Sequence, residues 1–322
     1  MSSRRFPPGY QTLRALGTGQ TSHVFLTEHK RFGVVALKLP KPELTSELRR
    51  LFENEVQLTL KLEHPNVIRA YEGQPTGDTA FLTLEYCDGG TLDQKLLDKG
   101  QMALERAYHY ILQVAAGLSF CHQRQVLHRD VKPANVFLTK QGEAKLGDFG
   151  TGIFLSDKSG ADLRVGTAFY MAPEVFQSEA ATVQSDIYSL GVLSYEVIAG
   201  QRPFVGNTQE EVMIAHLSGL PKRLSHHRPE VPQPLTKVIS QAMARDSAKR
   251  YDSVAQFSAE FRKAAGLEPT PAPSAAPQIG RASRRGAPSA RRDQNPAPDP
   301  KPQPKPDEKP SMLERIFGRK KK

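Results

Sequence analysis

The chain has 322 residues, with 44 Lys plus Arg against 34 Asp plus Glu and a formal net charge of +10. A hydrophobic fraction of 38% with 15 Phe is enough to build a core, which excludes disorder throughout. Two cysteines, Cys87 and Cys121, exclude a disulfide framework or a multi-cysteine zinc site and fit a reducing compartment.

From the N-terminus, residues 1–9 read as an extension without the apolar stretch of a secretory signal. Residues 10–40 contain short alternating or β-branched runs, such as Gly33-Val34-Val35-Ala36-Leu37-Lys38-Leu39, which predict strands. Between two of them lies Leu16-Gly17-Thr18-Gly19-Gln20-Thr21-Ser22-His23-Val24. Its glycines fit either a tight turn or a hairpin whose backbone lies close over an anion and aims amides at it. Lys38 falls inside an apolar run, so it needs a partner or a route to water. Residues 43–62 carry Leu48, Leu51, Phe52, Val56, Leu58 and Leu62 at helical spacing. Strand patterns return over 67–86, a helix is predicted over 103–123, and helices dominate 182–265. That order predicts an α+β chain: a small sheet-rich lobe, a larger helical lobe and a ligand cleft between them.

Composition shifts near Gly266. Residues 267–322 hold 13 Lys plus Arg and 6 Asp plus Glu, a balance of +7 that leaves only +3 for residues 1–266. They also hold 12 of the 25 prolines, including every second position from Pro296 to Pro306. Alternating proline removes backbone donors and favours extended geometry, so 267–310 is predicted to be a disordered, semi-rigid basic linker. Residues 311–322 combine Met312, Leu313, Ile316 and Phe317 with a run of four basic residues. This segment fits docking on an anionic membrane or a protein partner as well as it fits a solvated terminus. Nucleic acid is disfavoured, because no aromatic stacking series accompanies the charge. No apolar run approaches the roughly 18–20 residues of a membrane span, and the expected location is the cytoplasm.

Three further motifs follow one another: His128-Arg129-Asp130-Val131-Lys132-Pro133-Ala134-Asn135, Asp148-Phe149-Gly150, and Gly166-Thr167-Ala168-Phe169-Tyr170-Met171-Ala172-Pro173-Glu174. With the glycine pair and Lys38, the sequence resembles the eukaryotic-type (Hanks-type) serine/threonine protein kinases over about residues 10–265, and its arrangement is similar to bacterial members. The resemblance implies a two-lobed catalytic domain over 10–266, with an N-lobe to about 84, a hinge at 85–90 and a C-lobe over 91–266. It implies ATP as phosphoryl donor, Mg²⁺ or Mn²⁺ as cofactor and protein hydroxyls as acceptors, the chain itself included.

By the same resemblance, residues 16–24 together with Ala36, Glu85, Cys87 and Phe137 hold ATP. Leu16, Val24, Ala36 and Phe137 enclose the adenine, Leu84 guards the deeper pocket, and the backbones of Glu85 and Cys87 meet the ring's polar edge. Lys38 reaches the α- and β-phosphates and pairs with Glu55, while Glu53 faces solvent. Asp148 and Asn135 hold the metal, Asp130 is the catalytic base, and Lys132 neutralises the transferred group. Arg129, Glu174, Asp186 and Arg250 are structural, with Glu174 pairing with Arg250 and Asp186 anchoring the catalytic loop. Cys87 is a hinge residue and no redox switch, and Cys121 belongs to a helix core.

Ser22 stands where the family often has glycine, which predicts a slightly altered nucleotide affinity. Gly147 and Gly152 predict unusual backbone freedom around the Asp148 turn. Asp162 lies near the position where relatives carry a phosphorylated threonine, so either it supplies that charge or Ser156 or Ser159 is modified instead. Thr167 shapes the peptide loop beside Asp130. Ser283 and Ser289, in basic context, are expected autophosphorylation sites. The competing class is a pseudokinase on the same fold, which usually lacks a member of the set Lys38, Glu55, Asp130, Lys132, Asn135 and Asp148. Oligomeric state is left open.

Overall fold

Alternation along one strand sets the geometry of the smaller lobe. In β3 (Gly33–Pro40), Val35, Leu37 and Leu39 are buried on one face, which turns Ala36 and Lys38 to the other. The structure, a computed structural model, describes residues 6–155 and 167–267. β3 lies inside an antiparallel sheet with β1 (Tyr10–Thr18), β2 (Ser22–His29), β4 (Ala70–Gln74) and β5 (Phe81–Glu85), in the order β1-β2-β3-β5-β4. The register sets Lys38 opposite Val24 on one side and Leu82 on the other.

Helix α1 (Ser46–Thr59) is shorter than the apolar stripe over 43–62. It starts where the Thr45 hydroxyl accepts the Leu48 amide, a cap that satisfies one orphan N–H. Its inward positions Phe52 and Val56 pack with Ala80 and with Leu82 of β5. Each such side chain contributes roughly 1.5–3 kcal/mol through burial.

The chain then enters α2 (Leu92–Lys99) and α3 (Leu104–Gln123), followed by short strands β6 (Val126–Leu127), β7 (Val136–Leu138), β8 (Ala144–Leu146) and β9 (Ile153–Phe154). β7 pairs with β8 and β6 with β9, both antiparallel. Helices α4 (Pro173–Phe176), α5 (Val183–Ala199), α6 (Gln209–Ser218), α7 (Leu224–His227), α8 (Gln233–Ala242) and α9 (Val254–Ala264) complete the described lobe. α5 is buried on nearly every side, as expected of a helix that is apolar all round. Gly191 permits this: a Cβ there would lie 2.9 Å from Ala242 Cβ and Met243 Cγ, so α8 comes too close for a side chain. Gly200, at φ +72°, ends α5 in the left-handed conformation.

A smaller apolar cluster joins Leu58, at the end of α1, and Leu62, just beyond it, to Val67, Cys121, Val126 and Phe149. It ties the smaller lobe to the turn that carries Asp148. The architecture is α+β and two-lobed, as expected, and no described helix is long and apolar enough to cross a membrane. Ser156, Ser159, Asp162, Ser283, Ser289, the linker to 310 and the segment 311–322 lie outside the described residues.

Candidate active site

A cavity of about 890 Å³ opens between the sheet and the helical lobe, within the range of small-molecule sites. Every residue from 16 to 24 except His23 lines it, as do Ala36, Lys38, Glu85, Cys87, Asp130, Lys132, Phe137 and Asp148. His23 instead meets the Thr18 hydroxyl through Nδ1 at 3.0 Å. Leu16, Val24, Ala36, Leu84, Phe137 and Ile68 form an apolar slot.

The slot ends at a polar edge. The backbone amide and carbonyl of Cys87 make no backbone hydrogen bond among the described residues, which leaves a donor and an acceptor beside apolar walls. This pattern fits a flat, polar-edged heterocycle such as adenine. Burial pushes the Cys87 thiol up to about 12, so it is a weak nucleophile. Cys121 is fully buried on α3 and burial raises its thiol as well.

The Gly19 amide donates to the Ser22 carbonyl at 2.8 Å, which fits the tight-turn reading of the glycine pair. One expectation about glycines needs correction. Gly147 and Gly152 do not supply conformational freedom at the Asp148 turn. Asp148 itself takes the left-handed φ of +62°, a conformation costing a non-glycine residue about 1–2 kcal/mol. A Cβ on Gly147 would meet Ile68 Cγ1 at 2.7 Å, and one on Gly152 would meet Leu58 Cδ1 at 3.1 Å. These glycines allow close packing around the turn.

Lys38 Nζ donates to Glu55 Oε1 at 2.5 Å and to Asp148 Oδ1 at 3.2 Å. Burial disfavours the ammonium, but the two carboxylates outweigh it and raise the Lys38 pKa. Burial pushes Glu55 up to about 6 in spite of Lys38, and its buried Oε2 has no hydrogen-bond partner among the described residues. The Lys38 charge holds the Asp148 carboxyl below the usual range, although burial opposes it. Asp148 is therefore ionised at neutral pH, with its side chain nearly half exposed to the cavity. Glu53 is half-buried and forms no ion pair among the described residues.

The second cluster surrounds Asp130. Its Oδ1 accepts the Thr167 amide at 3.0 Å, and its Oδ2 accepts Asn135 Nδ2 at 2.9 Å and Lys132 Nζ at 2.7 Å. Lys132 also donates to the Thr167 hydroxyl at 2.6 Å. Asn135 lies behind the cavity wall, and its amide nitrogen also reaches the Asp130 carbonyl. Its side-chain oxygen has no partner among the described protein groups.

Asp186 organises this loop from α5. It accepts the His128 amide at 2.9 Å, the Arg129 amide at 2.9 Å and His122 Nε2 at 2.8 Å. Burial opposes ionisation, yet these donors hold its carboxyl below the usual range. Arg129, at φ +64°, donates from Nε to the Thr151 carbonyl. Glu174 and Arg250 form a two-pronged buried pair at 2.7 and 2.8 Å, braced by the Ser185 hydroxyl.

Sequence reasoning missed His122, Ile68 and Asn54. Asn54 Nδ2 donates to the Gly152 carbonyl and so links α1 to the segment after Asp148. His122 has a faint signal, a histidine at a helix end six residues before His128.

Two clusters, one built on a buried lysine pair and one on a braced aspartate, thus face one slot of nucleotide size. The protein kinase domain family matches residues 10–261. The chain belongs to the protein kinase family. It is 30% identical over 266 residues to serine/threonine-protein kinase PrkC of Bacillus subtilis, covering 81% of this chain and 41% of that protein. It is 32% identical over 296 residues to serine/threonine-protein kinase PknB of Mycolicibacterium smegmatis, covering 88% and 47%. Serine/threonine-protein kinase PknA of Mycobacterium tuberculosis is 33% identical over 291 residues, with 87% and 67% covered. The chain spans less than half the length of the first two of these relatives.

Proposed function

We propose that the chain transfers the γ-phosphoryl group of ATP to serine and threonine hydroxyls of protein substrates, itself included. The observation that carries this is that Lys38, Asp148, Asp130 and Lys132 line one cavity, with Glu55 bonded to Lys38 and Asn135 to Asp130 from outside its lining. The intact set disfavours a pseudokinase. The names of PrkC, PknB and PknA support the choice of serine and threonine.

In this reading the apolar slot encloses adenine, and Glu85 and Cys87 present backbone groups to its edge. Lys38 binds the α- and β-phosphates, and Glu55 holds the ammonium in place. The ionised Asp148 and the unpartnered oxygen of Asn135 are hard donors that suit Mg²⁺ together with phosphate oxygens. When bound, the metal neutralises charge on the phosphates and holds them in line.

Asp130 accepts the proton of the attacking hydroxyl. Oδ2 already takes two donors from the protein and Oδ1 one, which orients the carboxylate and leaves a lone pair of Oδ1 for the substrate. Lys132 stands 2.7 Å from Asp130 Oδ2 and supplies positive charge beside the transferred group. Asp186 fixes the loop backbone, so Asp130 moves little when substrate arrives. Incubation with labelled ATP and a generic basic protein, followed by phosphoamino-acid analysis, tests the reading. Label on phosphoserine and phosphothreonine is expected, and its absence contradicts the proposal.

The extent 10–266 for the catalytic domain, with its hinge at 85–90, is part of the same proposal. So are a cytoplasmic location and docking of 311–322 on anionic membranes or a partner, which rest on sequence alone. Sedimentation of the full chain with phosphatidylserine vesicles, compared with a chain ending at 310, tests the membrane form. Equal sedimentation of both chains contradicts it.

A further inference from the structure

A guanidinium of the chain itself lies against the segment that reaches the catalytic pair. Thr167 gives its amide to Asp130 Oδ1 and accepts Lys132 Nζ at its hydroxyl. Two residues on, the half-buried ring of Phe169 carries the Arg202 guanidinium, with Cζ 3.9 Å from the ring centroid. Arg202 follows the end of α5, and its Nε lies 3.5 Å from Oε1 of Glu196 in the last turn of that helix. An aromatic face and a carboxylate together hold a planar cation by stacking and by charge.

Without Arg202 this corner carries only negative charge. The Glu196 side chain is 14% exposed, and its other oxygen accepts the Tyr170 hydroxyl at 2.5 Å. Arg202 is its ion-pair partner among the described residues. Asp93, half-buried in the first turn of α2, adds a second negative charge that bears on Glu196 and on the Tyr170 hydroxyl. Burial, with a smaller push from Asp93, raises the Glu196 carboxyl, whereas Tyr170 and Arg202 oppose the rise. A protein serine that reaches Asp130 brings its flanking residues past Thr167 and Phe169. Two carboxylates there would attract a flanking arginine, but the place is already taken.

We propose that Arg202 is a specificity-determining residue. It supplies from within the chain the cation that Glu196 and Asp93 would otherwise draw from the substrate. Transfer is therefore indifferent to arginine at the flanking position that meets this corner. The role presupposes phosphoryl transfer to protein hydroxyls at Asp130.

Values of kcat/KM for peptides with a single serine, carrying arginine or alanine at successive positions on either side, test this. At one position Arg202→Ala should raise the arginine-to-alanine ratio about tenfold over wild type, through KM, the scale of a hydrogen bond to a charged group. Arg202→Gln, which keeps a long side chain without its charge, should raise the same ratio and serves if the alanine variant fails to fold. Adding Glu196→Gln, which keeps an acceptor for the Tyr170 hydroxyl, should return the ratio to the wild-type value. A ratio left unchanged at every position by the Arg202 variants overturns the role of Arg202. So does a gain that survives Glu196→Gln, because the arginine is then held elsewhere. Wild type that labels no peptide overturns transfer to protein hydroxyls as well, so the two failures are distinguishable.

Discussion

Glu55 Oε1 lies 2.5 Å from Lys38 Nζ, while the other carboxylate oxygen of Glu55 is buried with no hydrogen-bond partner among the described residues. The contact joins α1 to β3, so the position of the helix and the position of the lysine depend on one charge pair. Burial alone would favour neutral Glu55, and its pKa is pushed up to about 6.

The raised Glu55 pKa gives an acid limb to activity. As pH falls through about 6, Glu55 gains a proton and Lys38 loses its closer counter-charge. Phosphotransfer in steady-state assays should therefore decline below pH 6. Glu55→Gln should be about 10²-fold slower at pH 7.5, the scale of a misplaced binding group, and should lack this limb. An unchanged acid limb in the variant contradicts the pairing.

His216 makes stability depend on pH. It is fully buried, bonded through Nδ1 to the Tyr188 hydroxyl at 2.7 Å, with burial lowering its pKa to about 4. The unfolded chain takes up this proton near pH 6.5 and the folded chain only near 4. Stability is then lost as pH falls from 6.5 toward 4, by about 3 kcal/mol in full. Denaturant titrations of wild type and His216→Gln at pH 7 and pH 5 should show a smaller acid loss in the variant.

Arg250 and Glu174 offer a test of buried charge. The Arg250 side chain is fully buried in this pair, and removing it strands the carboxylate. Arg250→Met should cost about 3–5 kcal/mol in urea unfolding. The double variant with Glu174→Leu should recover part of the loss, because no unpaired charge then remains.

Much of the site was legible because its residues cluster in short motifs. Asp130, Lys132 and Asn135 lie within six positions, and Lys38 stands out as a charge inside an apolar run, while its face of the strand appears only with the burial of Val35 and Leu37. Contacts between distant segments were not legible. His122 meets Asp186 across 64 positions, and Asn54 meets Gly152 across 98. Periodicity carries no information about such pairs. Gly147 was read as freedom because composition alone cannot separate a flexible glycine from one crowded by Ile68. The helical lobe was legible as helices, but the all-round burial of α5 appears only once α3 and α8 pack on it.

Transfer of label from γ-³²P-ATP to a protein substrate by wild type, Asp130→Asn and Lys38→Met is the most direct measurement. Wild type should label serine and threonine. Asp130→Asn should lose at least about 10²-fold in rate, the scale of general-base catalysis, and Lys38→Met should lose a comparable amount. Equal labelling by all three proteins would contradict phosphoryl transfer at this site.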